Sequence, residues 1–238
     1  MGTETNSNRL TVMRERIGVP KPGTNSDELI AGILIGGQSR RMGQCKALLP
    51  LRGRTFVEHV VDVASTVADE IVILGNLNLN IPGLSGIARL SDPPGCVGPL
   101  AGLSSLLEYA GSRWSLLLAC DMPMLTVEVL ERLIQARDES VDAVVFRRLD
   151  HECEFHVCCA AYHPRALPAV RAELSTGVGK IQNVLRAVRC TALIPAAEEE
   201  ERLVNVNTPE DLASLEMRFA ATAFNGLQED SGVGAGRQ

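Results

Sequence analysis

The sequence predicts an α/β fold in three layers: a mostly parallel sheet with helices on both faces. Three observations predict it. Stretches patterned as strands and as helices alternate from residue 29 to about residue 220, the arrangement that builds parallel sheets through crossover helices. The first stretch, Leu29–Ile35, is apolar throughout, as a strand covered on both faces must be. The composition, 45% hydrophobic but only 3% aromatic, supports a sizeable core made of aliphatic side chains.

Leu29–Ile35 stops abruptly at Gly36, which ends the first strand. Thr55-Phe-Val-Glu58 spells a capping box, and Val57, Val60, Val61 and Ala64 then fall on one helical face. Glu70–Leu74, short and β-branched, reads as the second strand and Gly86–Leu90 as the third. Asp92-Pro-Pro-Gly-Cys-Val-Gly98 is a loop. Pro99 suits the first position of a helix on which Leu100, Leu103, Leu106 and Leu107 share a face. Trp114–Ala119 is a strand, with Asp121 just past its end. Thr126 opens a helix to about Asp138, and Val141–Phe146 and Glu154–Tyr162 are strands. Pro164 opens a helix to Leu174, and Lys180–Val188 forms another. Cys190–Ile194 and Leu203–Val206 read as short strands, with the acidic run Glu198–Glu201 as a solvated turn between them. Thr208-Pro-Glu-Asp211 joins a cap, a first-turn proline and first-turn acids, and starts a helix to about Ala220.

No linker-like break interrupts residues 29–220, so they are expected to form one domain. Residues 1–28, polar with Pro20, Pro22 and Gly23, and residues 221–238, rich in glycine, read as flexible extensions. The 238 residues carry a formal net charge of -6 with no basic excess or interleaved aromatics, which argues against nucleic-acid binding. No apolar run approaches the roughly 20 residues of a membrane helix, and Met1–Glu28 lacks the apolar centre of a secretory signal. Seven cysteines with no C-x-x-C pair point to reduced thiols, so the expected compartment is the cytoplasm.

Against this acidic background the stretch Leu29–Val57 holds Arg40, Arg41, Lys46, Arg52 and Arg54 and no acid. The positive charge gathers where the first strand surfaces into Gly36-Gly37 and Gly43. Backbone N–H groups unobstructed by a Cβ, beside cationic side chains, are what a polyphosphate requires. The spacing is neither G-x-G-x-x-G nor a Walker loop. Gly177-Val-Gly-Lys180 imitates the latter, but Ile181 follows the lysine and Leu174 stands where the first glycine belongs. In open α/β sheets ligands bind at the carboxyl ends of the strands, and both the glycine loop and Asp121 fall at such ends.

Leu34-x-Gly-Gly-x-Ser-x-Arg-Met-Gly-x-x-Lys46 resembles the signature loop of the molybdenum cofactor guanylyltransferase family. Gly98-Pro-Leu-Ala-Gly102, Cys120-Asp-Met-Pro123 and Asn205-Val-Asn-Thr-Pro-Glu-Asp-Leu212 agree with it, in the family's order. The resemblance implies a Rossmann-like, nucleotide-diphospho-sugar transferase type of fold. It also implies transfer of GMP from GTP to the phosphate of molybdenum-bearing molybdopterin, with Mg²⁺ as cofactor. Implied partners are GTP, molybdopterin or molybdenum cofactor, and transiently a molybdoenzyme or cofactor-delivery protein, with no nucleic acid and no membrane.

Such a transfer attacks the α-phosphate with an oxygen already ionised at neutral pH, so alignment and charge neutralisation do the work. Lys46 and Arg41 are the candidate catalytic cations, with Arg40 beside them, and Asp121 is the candidate catalytic and Mg²⁺-binding carboxylate. The nucleotide-binding set is Leu34, Ile35, Gly36, Gly37, Ser39, Arg40, Gly43, Lys46, Asn76, Asp92, Gly98 and Asp121. Asn76 and Asp92 enter it through the resemblance. Asn207 either ligates Mg²⁺ or merely caps the next helix. Asn205 beside it, and His156 through the resemblance, are assigned to the acceptor. Gly36-Gly37 in place of Ala-Gly is what the guanine-using branch shows, and a missing methyl leaves room for a purine edge.

The sequence departs from the family at Cys45, where an aspartate usually precedes the lysine, and at Glu154-Phe-His-Val157, where the family has Arg-x-His-Pro. Other readings follow: a transferase of this fold using CTP or another acceptor, and a non-catalytic nucleotide-binding or delivery protein. His151, Cys153, His156, Cys158 and Cys159 also hold the donor types of a soft-metal site. Their spacing matches no compact zinc motif, and the cysteines read better as small residues of a buried strand.

Overall fold

The computed structural model describes residues 28–35, 45–75, 81, 84–149 and 154–218. The expected three layers are present. The strands are β1 (Leu29–Leu34), β2 (Pro50–Leu51), β3 (Arg54–Thr55), β4 (Glu70–Leu74), β5 (Ala88–Leu90), β6 (Trp114–Ala119), β7 (Ala143–Arg147), β8 (Phe155–Tyr162) and β9 (Cys190–Leu193). Seven of them form one sheet in the order β5-β4-β1-β6-β8-β7-β9, while β2 and β3 make a separate hairpin. Every neighbour in the large sheet is parallel except where β8 pairs with β6 and β7. The reversal has a local cause. Only residues 148–154 join β7 to β8, too few for the dozen or more that a parallel crossover needs. As a result β8 begins, rather than ends, at the carboxyl edge of the parallel strands.

Alternation along each strand divides the core. Ala31, Ile33, Ile71, Ile73, Leu116, Leu118, Val144, Phe146 and Cys159 face one side. There they meet α1 (Phe56–Ala64) and α3 (Val127–Gln135) through Val57, Val60, Val61, Val129, Leu130 and Leu133. Ile30, Leu34, Val72, Leu74, Leu117, Val145, Ala160 and Tyr162 face the other side. They meet α2 (Pro99–Ala110), α4 (Leu167–Leu174) and α5 (Ile181–Ala187). α2 lies unusually close to β1. A Cβ on Gly32 would stand 2.7 Å from Leu106 Cδ2, and one on Gly102 would stand 2.6 Å from Leu34 Cδ2.

The local signals hold where they are strongest. Thr55 and Glu58 close the capping box, with Glu58 N–H on Thr55 Oγ1 at 3.3 Å and Thr55 N–H on Glu58 Oε2 at 2.7 Å. The hairpin of β2 and β3 was not anticipated. Its loop, Arg52-Gly53, has φ of 52° and 81°, the doubly positive turn that suits two-residue hairpins. Arg54 then pairs with Asp62 on α1.

Two expectations fail. Leu203–Val206 is not a strand: residues 204–207 are irregular, and Val206 N–H makes a single bond to the Asp121 carbonyl at 2.9 Å instead of joining a ladder. The acidic run is not a turn but α6 (Ala197–Arg202). Glu198, Glu199 and Glu200 lie in its first turn, where the helix dipole favours them, Glu199 accepts from the Ala196 N–H at 2.7 Å, and Arg132 of α3 pairs with Glu199. The expected helix from Thr208 is α7 (209–218). No helix among the described residues is long and apolar enough to cross a membrane.

Candidate active site

The register of the sheet decides which loops meet. Leu34 pairs with Leu74 on one side and Ala119 on the other, so the chain leaves β1, β4 and β6 at one level. Ile35 N–H reaches the Leu74 carbonyl and Cys120 N–H the Leu34 carbonyl, which holds that edge together for one residue more. Asp121 therefore emerges beside the end of β1, where the chain passes into residues 36–44.

Lys46 returns to this point from the far end of that segment. It opens a short 3-10 turn, Lys46–Leu48, seated by Ala47 in the core below α1. Its ammonium donates to Asp121 Oδ2 at 3.1 Å and to Asn207 Oδ1 at 2.5 Å. Asn205 Nδ2 donates to the other carboxylate oxygen, Asp121 Oδ1, at 2.6 Å. Asn207 Nδ2 lies 3.5 Å from the Asn205 carbonyl. These contacts form a ring that closes through the Asn205 backbone carbonyl, and its ion pair is mostly sheltered, with 17% of Lys46 and 16% of Asp121 exposed. A small apolar cluster clamps the ring in place. Val206, between the two asparagines, packs with Leu49, Phe56 and Leu215, which fastens residues 205–207 to the turn that carries Lys46.

Other candidates line the same edge. Gly98, with φ of 96°, forms the N-cap of α2, and Pro99 is its first residue, so the positive end of that helix opens beside β1 and β4. Asp92 follows β5 in the loop that Ser105 ties to α2 through the Ser91 carbonyl at 2.8 Å. Partial withdrawal from water raises the Asp92 carboxyl above its ordinary value. Leu34 and Ile35 are buried in opposite halves of the core, so their side chains serve packing. His156 also reaches this edge because β8 is reversed. Its Nε2 stands 3.2 Å from Glu200 Oε2 of α6.

Asn207 does not cap α7. The reciprocal bonds join Thr208 and Asp211, while Asn207 Oδ1 is spent on Lys46. The soft-metal reading finds no support in β8: Cys158 and Cys159 face opposite sides of the sheet, and burial pushes the Cys158 thiol up to about 12. Cys45, in place of the family's aspartate, packs its half-buried side chain against the α1 side of the core. The carboxylate that meets Lys46 comes from Asp121 instead. Gly36, Gly37, Ser39, Arg40, Arg41, Gly43 and Asn76, and with them His151 and Cys153, lie outside the described residues. One participant was missed by the sequence reading: Asp211, taken there only as a helix-start acid, accepts the Asn207 N–H at 2.8 Å. Its position four residues after Asn207 was the available signal.

A sequence model of the MobA-like NTP transferase domain matches residues 31–193, from within β1 to the end of β9. The chain belongs to that family. Among its relatives is a protein of Nostoc sp. named as a probable molybdenum cofactor guanylyltransferase, 32% identical over 81% of this chain and 93% of its own length. The molybdenum cofactor guanylyltransferase of Vibrio parahaemolyticus is 32% identical over 76% of this chain and 91% of its own. Of solved structures, the molybdopterin-guanine dinucleotide biosynthesis protein A of Archaeoglobus fulgidus superposes with a TM-score of 0.69 at 24% identity, covering 81% of this chain and 99% of that one. The 2-C-methyl-D-erythritol 4-phosphate cytidylyltransferase of Thermus thermophilus superposes at 0.61 with 18% identity, over 80% of this chain and 98% of that one. These two likenesses establish the fold. Family membership makes the chain a nucleotidyltransferase.

Proposed function

We propose that this enzyme transfers GMP from GTP to the phosphate of molybdopterin carrying molybdenum, giving a guanine dinucleotide and pyrophosphate. The observation that carries the reading is the ring of Lys46, Asp121, Asn205 and Asn207 at the carboxyl edge of the sheet, where a triphosphate would meet the positive end of α2. An acceptor phosphate oxygen attacks the α-phosphorus of GTP, and the bond to the bridging α–β oxygen breaks as pyrophosphate leaves. No proton has to move at the attacking oxygen, because a phosphate is ionised at neutral pH. Lys46 leaves its resting partners for the β- and γ-phosphates and offsets the charge that grows on the leaving group. The α2 N-terminus orients the phosphates through its free N–H groups.

The residues fit Mg²⁺. Asp121 Oδ2 and Asn207 Oδ1 already converge on one cationic point, the Lys46 ammonium, and both are hard oxygen donors. Asp121 would hold the ion with Asn207 assisting, and the bound ion would supply Lewis-acid neutralisation of the triphosphate. The relatives' names and the Gly36-Gly37 pair support guanine. The cytidylyltransferase of the same fold means that architecture alone does not select the base. Pyrophosphate release is measured with each of the four NTPs, Mg²⁺ and a molybdopterin source. GTP-selective, acceptor-dependent and Mg²⁺-dependent release is the expected outcome. Release with CTP, or GTP binding without release when acceptor is present, refutes the proposal.

A further inference from the structure

The ring around Lys46 contains one member whose placement the core does not explain. Val206 is buried and fixes Asn205 behind it, but Asn207 lies beyond that anchor and is exposed. An exposed asparagine holds one rotamer against a lysine only if its backbone is held first, since ordering both side chains carries an entropic cost. The backbone is held by Asp211. Its Oδ2 accepts the Thr208 N–H at 2.9 Å, which is one half of an ordinary capping box, and the Asp211 N–H donates to Thr208 Oγ1 at 3.1 Å, which is the other half. The same oxygen also accepts the Asn207 N–H at 2.8 Å. That third bond reaches one residue outside the helix and adds nothing that a cap requires.

We propose that Asp211 is a positioning residue for the transfer reaction: it fixes the Asn207 backbone so that the Asn207 side-chain oxygen, Oδ1, meets Lys46 and would meet the metal of the nucleotide when that is bound. The inference rests on the proposed function for its kinetic consequence, and on the structure alone for its geometric one. The Asn207 N–H, first among the causes, holds the Asp211 carboxyl below its usual range; burial opposes this, and the two bonds with Thr208 and the charge of Lys46 act in the same direction as Asn207.

Asp211→Ala, Thr208→Ala and Asn207→Ala, singly and as the Asn207→Ala/Asp211→Ala pair, are compared in the full chain. The Asn207 side-chain amide cross-peak is followed by ¹⁵N NMR and identified by its loss in Asn207→Ala. In Asp211→Ala that peak moves to the solvent-exposed position and kcat falls by roughly fivefold to tenfold, the rate equivalent of one lost cap-type bond. Thr208→Ala lowers Tm comparably but leaves both the peak and kcat/KM in place. The double variant is no slower than Asn207→Ala alone, because Asp211 acts through Asn207. An unmoved amide peak in Asp211→Ala, an equal kinetic loss in Thr208→Ala, or additive losses in the double variant overturn the proposal. If the wild type releases no pyrophosphate, the functional reading fails while the amide peak still decides the role of Asp211.

Discussion

Replacing Asp121 with alanine deletes both acceptors that organise the site. Asn205 Nδ2 loses its partner at 2.6 Å and the Lys46 ammonium its counter-ion at 3.1 Å, each in a partly sheltered setting. A hydrogen bond to a charged group contributes about 1.5–3 kcal/mol, and an exposed ion pair less than about 1 kcal/mol. With 16% and 17% of the two side chains exposed, the ion pair lies above the surface value but below that of a fully buried one. Together the two losses amount to at least about 2.5 kcal/mol. At about 2–4 °C per kcal/mol for a chain of this size, Tm falls by at least about 5–10 °C. Turnover should suffer far more, by at least about a thousandfold, because the carboxylate is also the principal candidate to hold the metal. Differential scanning calorimetry reads the first effect and a coupled pyrophosphate assay the second. Asp121→Asn, which keeps the volume but only one acceptor and turns its N–H₂ toward a donor, should recover at most part of the stability and little of the activity. An alanine variant with unchanged Tm and near-normal turnover would refute the reasoning from geometry to chemistry.

Three further outcomes follow from particular contacts. Lys46→Ala weakens magnesium–GTP binding by roughly tenfold to a hundredfold, the loss of one charged contact to phosphate, measured by isothermal titration calorimetry. Gly179→Ala places a Cβ 2.5 Å from the Glu173 carbonyl oxygen and 2.6 Å from Leu100 Cδ2; backbone cannot yield as a side-chain tip can, so chemical denaturation should show a loss of about 1–3 kcal/mol. Asp142, buried at the opposite edge, is held well below the usual carboxylate range chiefly by the Arg189 guanidinium, with Arg165 assisting. A depressed folded-state value stabilises the protein above the unfolded value of about 3.9 and is lost as pH falls through the folded one. Asp142→Asn therefore lowers Tm at pH 7, and the gap to wild type narrows as the pH drops below about 4.

Elements with a period were legible in the sequence because periodicity is a local property. The apolar runs of β1, β4 and β6, the Thr55–Glu58 box and the Pro99 helix start all state their conformation within a few residues. Residues 203–206 read as a strand because Leu203 with two β-branched valines resembles one whether or not a partner edge is open. Here Val206 finds only the Asp121 carbonyl and a small apolar cluster. The acidic run was misread for the complementary reason: four glutamates look like a wet turn until the helix dipole, Ala196 and Arg132 are in place to receive them.

The sequence by itself determined the layers, the edge at which a ligand binds and the residue types that would serve it. Only the tertiary structure decided their partners. Lys46 and Asp121 are 75 positions apart and Lys46 and Asn207 are 161 apart, and no spacing rule joins them. They meet because three strands end in register, a 3-10 turn folds back over α1, and Val206 docks on that turn. The same geometry turned Asn207 from a helix cap into a lysine partner and gave Asp211 a bond beyond its cap. Chain pattern specifies elements through local sterics and hydrophobic period, whereas convergence of polar side chains depends on how buried faces pack, which is a property of the whole sheet.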